Sequence, residues 1–449
     1  MAREKVGAYK MDSKLLDKTV KLLQELIQTD TTNEYATEIE AANVLIEFFN
    51  GYEIESEIIL SPEGRANFVA TLVGEQQQEP LILLSHLDVV GPGSEEWTYP
   101  PFSGAIDKGV VWGRGTLDTK QLTAMHAAVF VEMKRLQDQG LLQRTVIFLA
   151  TADEENGSQE GMAFIAEQYS EYFTDASVFS EGGGFIVEDN EQRYMFVAAG
   201  EKGTAKVKLK SVGVGGHAGA PPADQALLFL VSGLTSLLQQ SFDPPTYSIL
   251  ENYMGNFKKT IEKSEQTSED EIFIKQMYEY MKFPTVTIEK VDVGQQINVV
   301  PYYAEATIEI RTLPMQTKQD VTAILEQLFQ TSNVEWEITF FQQGYECEIA
   351  TNELRYIENT SAQFGYPVAI MPFTALGKTD GRFIGTFAAN IYGISPVMIP
   401  FTEVLKRVHA TDERIELDSF EYGTKLLVDT ITYLARKEVE IYADSERES

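Results

Sequence analysis

The chain of 449 residues holds a single cysteine, Cys347, four histidines, and 36 lysines and arginines against 68 aspartates and glutamates. One thiol cannot close an internal disulfide, so the fold must rest on packing, and a reducing cytoplasm is the expected compartment. The shortage of basic residues leaves a formal charge of −32. That argues against nucleic acid and membrane surfaces as partners, because anionic polymers and lipids are held by basic patches. Apolar runs long enough to cross a bilayer are missing, and the opening MAREKVGAYKMDSKLL lacks the apolar stretch of a secretory signal. A soluble chain without a cleaved leader is expected. There is no G-x-S-x-G elbow and no Walker loop, and Cys347 has no histidine near it in sequence, so serine and cysteine nucleophiles find no support.

What is present is an ordinary globular balance, 43% hydrophobic and 23% charged, at a length that exceeds one core. Leu15, Leu16, Val20, Leu23 and Ile27 recur at helical spacing, and a second helix is expected from Ala36 to Asn50. Short apolar runs follow at ANFVATLV, LILLSH, TVIFLATA and ASVFSE, with a helix over about 121–139 between the second and third. Strands apolar on both faces that alternate with helices predict an α/β fold with a mixed, mostly parallel sheet. After Gly200 the pattern changes. TAKVKLKSV, TVTIEKV, YAEATIEIR and VEWEITFF alternate apolar and polar residues, as strands with one wet face do. Helices over about 223–240 and 317–330 sit among them, and a charged helical insertion spans Phe242–Phe283. This predicts a smaller α+β domain over residues 201–348, inserted between the two parts of a catalytic domain, 1–200 and 349–449. A terminal helix is expected over Leu417–Arg436.

The candidate chemistry gathers at predicted strand ends. His86 and Asp88 in LILLSHLDVV leave the same face of the pleat at the end of a strand, where α/β sheets collect ligands. A neighbouring carboxylate can fix the tautomer that a metal needs. Alone, the pair reads more simply as a capped surface histidine. Asp118, between a glycine-rich turn and a helix, reads alone as an N-cap. Asp153, Glu154 and Glu155 repel one another, and a cation is an economical way to hold them, although a solvated acidic loop is the commoner explanation of such a run. Glu181 ends the next strand in SEGGG, whose glycines allow close backbone approach. His409 precedes the terminal helix. Together, His86, Asp118, Glu155, Glu181 and His409 form a set of two imidazoles and three carboxylates. Such ligands suit two zinc ions bridged by one carboxylate, with positions left for water. His217 in GVGGHAGAPPAD lies in the inserted domain. The dinucleotide turn this segment loosely suggests is disfavoured by Pro221 and Pro222. His126 reads as a packing or surface residue.

The ordered runs SHLDVV, GRGTLDTK, ADEENGS, SEGGG, GGHAGAP, INVVPYYAEATIEIR, GKTDGRF and VHATDERI resemble the dinuclear zinc exopeptidase and amidohydrolase family. That family includes aminoacylase, carboxypeptidase S, bacterial glutamate carboxypeptidase, succinyl-diaminopimelate desuccinylase and acetylornithine deacetylase, and the resemblance is strongest to the carboxypeptidase S branch. It implies two Zn²⁺ per subunit, with Co²⁺ or Mn²⁺ as substitutes. His86 and Glu181 would hold one ion, Glu155 and His409 the other, and Asp118 would bridge them. By the same resemblance Asp88 orients His86, Glu154 is the general base, and His217 is a lid histidine that reaches the partner's site in dimeric members. Asn298, Arg311 and Arg382 match substrate-contacting positions. The chain departs from the family at Thr119, where many members carry Asp or Asn, and at Gln121, where glycine is usual.

The activity implied is metal-dependent hydrolysis of an amide bond in a small peptide or N-acyl amino acid, with dipeptidase, carboxypeptidase and deacylase specificities open. The rival reading is a catalytically inactive relative that binds peptides or serves as a scaffold. The complete ligand set and Glu154 weigh against it. A homodimer formed through the inserted domain is the further expectation.

Overall fold

The computed structural model describes residues 11–34, 38–240, 246–294 and 296–436. Two compact units emerge. One takes in the chain up to Phe196, Ala350–Ile370 and the chain from Phe387 onward; the other consists of Val197–Ile349 and Met371–Thr386. The second unit therefore includes a short segment beyond the expected end at residue 348. Thr379 of that segment donates from its amide (3.2 Å) and its hydroxyl (2.9 Å) to the buried carboxylate of Glu201, which holds it there.

The first unit is organised by a sheet whose strands run in the order Ser56–Leu60, Ala66–Leu72, Arg144–Thr151, Gln76–His86, Ser177–Ser180, Asn390–Gly393. The first three are joined by antiparallel pairings and the last four by parallel ones. The mixed sheet expected from the apolar runs is present, with its parallel pairings confined to the strands Arg144–Thr151, Gln76–His86, Ser177–Ser180 and Asn390–Gly393 among those described; the expectation of a mostly parallel sheet is corrected by the antiparallel pairings that flank them. Leu81, Ile82, Leu83 and Leu84 are all fully buried, which is why this strand reads as one apolar run and not as an alternation. Parallel strands end at a common edge, and His86 stands level with Thr151 there. The chain leaving that edge carries His86, the Asp153–Glu155 turn and Glu181.

Helices cover the sheet close to their expected limits: Ser13–Gln28, Ile39–Asn50, Lys120–Asp138 and Leu417–Ala435. The expected start of the second at Ala36 lies outside the described residues. Lys120–Asp138 packs against the Ser13–Gln28 and Leu417–Ala435 helices and against the sheet, and nearly all its side chains are buried. An interior helix has no wet face, and so shows little amphipathic period. A small antiparallel sheet, with strands Ala105–Asp107, Val110–Trp112 and Arg414–Glu416 in that spatial order, ties the segment before Asp118 to the segment after His409.

In the second unit the four alternating runs form one antiparallel sheet, ordered Thr285–Val293, Tyr303–Thr312, Gly203–Val212, Val334–Gln342. Helices Ala226–Leu238 and Lys318–Phe329 pack on one face, joining Ala205, Val207, Leu209, Ile308, Leu230 and Leu325 in a single core. The interleaved Lys206, Lys208 and Lys210 face away and meet glutamates across the strands, as in the Lys208–Glu305 pair at 2.5 Å. The charged insertion is helical at Ser248–Glu262 and Glu269–Lys282; its first residues, Phe242–Pro245, lie outside the described ones.

His126 is a packing residue. It is fully buried, edge-on to Phe148, and neither ring nitrogen has a hydrogen-bond partner among the described residues. Burial pushes its pKa from the ordinary 6.5 down to about 3, so the folded protein holds it neutral where the unfolded chain takes up a proton. Its share of stability is present above pH 6.5 and is lost as pH falls toward 3, at about 1.4 kcal/mol per pH unit. His126→Leu should therefore gain on the wild type progressively between pH 6.5 and 4.5 in denaturant titrations. A stability difference that does not change with pH would contradict this account.

Candidate metal centre

Each site side chain is set by the fold just described. His86 is the last residue of its strand, almost fully buried. Its Nδ1 lies 2.9 Å from the main-chain oxygen of Asp88 and 3.6 Å from an oxygen of the Asp88 carboxylate. Nδ1 therefore carries the proton and donates to the carbonyl, leaving the Nε2 lone pair pointing outward. That lone pair faces Asp118 Oδ1 at 3.1 Å and Glu181 Oε2 at 3.5 Å. On the other side, His409 Nε2 faces Asp118 Oδ2 at 3.1 Å and Glu155 Oε1 at 3.2 Å. The ligand atoms of His86, Asp118 and Glu181 form one compact group, those of Asp118, Glu155 and His409 a second, and Asp118 belongs to both.

The bland reading of Asp118 as a helix cap is not what the structure contains. Thr119 occupies the N-cap position and no side chain caps the helix. Both Asp118 oxygens are instead turned toward imidazoles, and the peptide bond from Asp118 to Thr119 is cis. Gln121, where the family usually has glycine, is buried and donates to Leu117 O at 2.7 Å and Ser395 Oγ at 3.0 Å. Gly184 explains part of the SEGGG run: its φ is +98°, and a Cβ there would fall 2.2 Å from the carbonyl oxygen of Ser395.

The three adjacent acidic residues of the 153–155 turn are sorted by the fold. Asp153, with φ +64°, turns inward to Arg65 Nη1 at 3.2 Å, and Arg65 also grips the buried Glu38. Glu155 faces the His409 group, and the half-buried Glu154 begins the single turn Glu154–Asn156. Asp88 holds this turn. Its carboxylate accepts from the amides of Glu154 and Glu155, both at 3.1 Å, and from the Asn33 side chain. One residue thus orients His86 through its carbonyl and the Glu154–Glu155 turn through its side chain.

The charge balance tests whether a cation fits. Three carboxylates and two neutral imidazoles carry three negative charges in one cleft, with lone pairs converging on two points. Without a cation this is tolerable only if the imidazoles hold extra protons. Burial pushes His86 down, but the charge of Glu181 and hydrogen bonds to Asp118 and Glu181 outweigh it and hold the ring well above its ordinary value. Hydrogen bonds to Asp118 and Glu155 raise His409 to about 10. Two divalent cations satisfy the same donors without those protons, and imidazole with carboxylate is a donor set suited to zinc and its neighbours.

The remaining expected residues belong to the second unit. His217 and Asn298 come together because Gly216–His217 pairs with Val299–Val300. His217 Nδ1 accepts from the Gly219 amide at 3.0 Å, and its Nε2 lies 2.9 Å from Asn298 Nδ2. Arg311 and Arg382 both act on the buried Glu201, whose pKa is pushed up to about 7 by burial and is opposed by Arg382, Thr379 and Arg311. Arg311 donates to Glu309 at 2.6 Å through Nε, while its buried Nη1 has no partner among the described residues. Sequence reasoning passed over Glu201 and its neighbour Lys202, which is held by Phe283 O at 2.6 Å over the Tyr280 ring. Adjacent charges in the apolar run FVAAGEKGTAKV were the available signal. It also passed over Arg65, Arg114 and Glu413, the last two lying inside the quoted runs GRGTLDTK and VHATDERI.

Residues 82–433 match the pattern described as Peptidase family M20/M25/M40. The chain is 25% identical over 376 residues to the human N-fatty-acyl-amino acid synthase/hydrolase PM20D1, covering 79% of this chain and 74% of that one. It is 24% identical over 390 residues to a probable carboxypeptidase S-like 2 of Dictyostelium discoideum, covering 81% and 72%. Among solved structures it is similar to the M20 family metallo-carboxypeptidase Sso-CP2 of Sulfolobus solfataricus, with a TM-score of 0.66 at 18% identity, covering 94% of this chain and 99% of that one.

The dual role of Asp88 has a measurable consequence. Asn at this position keeps the shape and the carbonyl but has one acceptor oxygen for three donors. Asp88→Asn should stay folded and lose roughly 10–100-fold in metal affinity, the usual scale for groups behind the ligands. Metal per chain after dialysis against a weak chelator reads this directly, and wild-type retention would refute it.

Proposed function

The chain belongs to Peptidase family M20/M25/M40, which makes it a hydrolase of metallopeptidase or amidohydrolase type. From that premise we propose that it hydrolyses the amide bond of a small peptide or N-acyl amino acid carrying a free carboxylate, with two zinc ions as resident metals. The observation that carries the reading is Asp118, whose two oxygens face the two imidazoles at 3.1 Å each. His86, Glu181 and Asp118 would hold one ion, and Asp118, Glu155 and His409 the other, with Co²⁺ or Mn²⁺ able to substitute.

When bound, the ions lower the pKa of the attacking water and polarise the scissile carbonyl. Glu154 takes one proton from that water as its oxygen attacks, and delivers it to the leaving nitrogen as the C–N bond breaks. His217 donates to the oxyanion that develops on the former carbonyl oxygen. Arg311 supports a substrate carboxylate, because its buried Nη1 lacks a protein acceptor among the described residues and an anion would supply one. Asn298 steadies His217, and Arg382 adds positive charge in the region of Arg311. The human relative's name includes N-fatty-acyl-amino acid, which favours an apolar acyl group among the N-acyl substrates.

Pairing of the second unit into a homodimer is part of this reading. It is supported by apolar residues exposed on the Ala226–Leu238 helix, among them Leu228 and Val231, and by Ile288, Val291 and Val293 on the edge strand Thr285–Val293, since exposed apolar patches mark association surfaces. In such a dimer His217 serves the partner's centre. No helix of the described residues is long and apolar enough to cross a membrane, and a lone buried thiol fits a cytoplasmic setting.

Glu154→Gln should retain both metals and lose at least about a hundredfold in kcat, measured with Zn²⁺-, Co²⁺- or Mn²⁺-loaded protein on a panel of N-acyl amino acids and dipeptides. Near wild-type turnover would remove Glu154 from the mechanism, and equal activity after chelation would remove the metals. Mixing inactive Glu154→Gln and His217→Ala chains should restore part of the activity. If verified mixed dimers stay inactive, His217 acts within its own chain.

A further inference from the structure

Four residues before Asp118 stands Arg114, and four residues after His409 stands Glu413; both are essentially without solvent exposure. They form an ion pair, Arg114 Nη1 to Glu413 Oε2, at 2.5 Å. Each residue also reaches across to the other's segment. Arg114, from the Asp118 side, donates through Nη2 to the carbonyl oxygen of His409 at 3.3 Å and to that of Gly91 at 3.3 Å. Glu413, from the His409 side, accepts through Oε1 from the amides of Leu117 at 2.7 Å and Asp118 at 3.2 Å. The pair therefore cross-links the main chain at both site residues.

Stability alone is a poor reason for this arrangement. A buried ion pair seldom outperforms apolar side chains of the same volume, and Arg114 Nε is left buried without a partner among the described residues. The hydrogen bonds the pair does make go to main-chain atoms of the site segments. The segments need such restraint. His409 has φ +60° and Asp412 φ +63°, left-handed conformations that a side chain disfavours and that persist where the surroundings impose them. The small sheet pairing Val110–Trp112 with Arg414–Glu416 fixes the segments further out, and the ion pair fixes their final approach.

We propose that Arg114 and Glu413 are positioning residues that set the spacing between the Asp118 carboxylate and the His409 imidazole, and that Arg114, through His409, controls affinity for the second cation, the one shared by Asp118, Glu155 and His409, specifically. The proposal rests on the two-cation reading given above. Its selectivity follows from the contacts. Arg114 holds His409, which serves only the group shared with Glu155, whereas Asp118 is held by Glu413. Loosening the arginine while leaving the Glu413 acceptor should spare the His86–Glu181 group.

The test uses the full chain titrated with Co²⁺ alone, reading ions bound per chain, the visible absorption of each ion, and the melting temperature. Arg114→Met alone strands a buried carboxylate and destabilises the fold, so the informative variants are Arg114→Met combined with Glu413→Gln, and Arg114→Lys. The first removes the unpaired charge but keeps an acceptor for Leu117 and Asp118. The second keeps the charge but has a single ammonium in place of the fork. Both should bind the first ion as the wild type does and the second at least tenfold more weakly, the lower scale for such outer contacts. In the double variant the melting temperature should recover while the second-ion affinity does not. Wild-type affinity for both ions in the variants would overturn the proposal, and so would parallel loss of both ions with stability. A wild-type chain that binds no second ion would instead defeat the two-cation reading.

Discussion

One carboxylate shared between two imidazoles is the constraint around which the first unit is arranged. Asp118 presents one oxygen to His86 and the other to His409, each at 3.1 Å, and its two ligand partners come from residues far apart in the chain. A bridging position of this kind tolerates little displacement, because moving the carboxylate toward one group moves it away from the other. The surrounding structure supplies the rigidity. His86 ends a strand buried on both faces, Asp118 opens into a helix with almost no exposed side chain, and the turn with Glu155 hangs from Asp88.

The support is made mainly of buried charge. Arg65 with Glu38 and Asp153, Arg114 with Glu413, and Lys120, whose ammonium donates to Leu26 O and Thr29 O, all lie near the centre and mostly out of water. Such pairs add little net stability, yet breaking one leaves an uncompensated charge at substantial cost. Their geometry resists alternatives, which suits a site whose donors must meet at fixed points. The net charge of −32 of the whole chain is borne largely by solvated glutamates and aspartates.

The second unit follows a different plan. Its sheet has one apolar face beneath two helices and one charged face of lysines and glutamates. Beside it, Glu201, Lys202, Arg311 and Arg382 form a partly buried charged group in which burial pushes Glu201 up and Lys202 down, each to about 7. That group, and the His217–Asn298 pair, place polar chemistry on an otherwise structural layer.

Much of this was legible in the residue order. Unbroken apolar runs announced the parallel strands, period-two runs announced the antiparallel sheet, and helix limits fell within a few residues of expectation, because local burial periodicity is a property of the sequence itself. The positions of the five residues whose nitrogen and oxygen atoms converge were legible too, since each follows a recognisable strand or precedes a helix. What the sequence left open was which neighbouring group each one meets. Asp153, Glu154 and Glu155 are alike on paper, and only the fold sends the first inward to Arg65 and the last toward His409. From the sequence Asp88 is a partner for His86, and the tertiary structure commits its carboxylate to the amides of Glu154 and Glu155 as well. Arg114 and Glu413, 299 positions apart, carry no local sign of their pairing. Short-range periodicity decides the elements; the partner of a buried charge is decided by whichever distant group the packed elements bring within reach, and that exists only once they have packed.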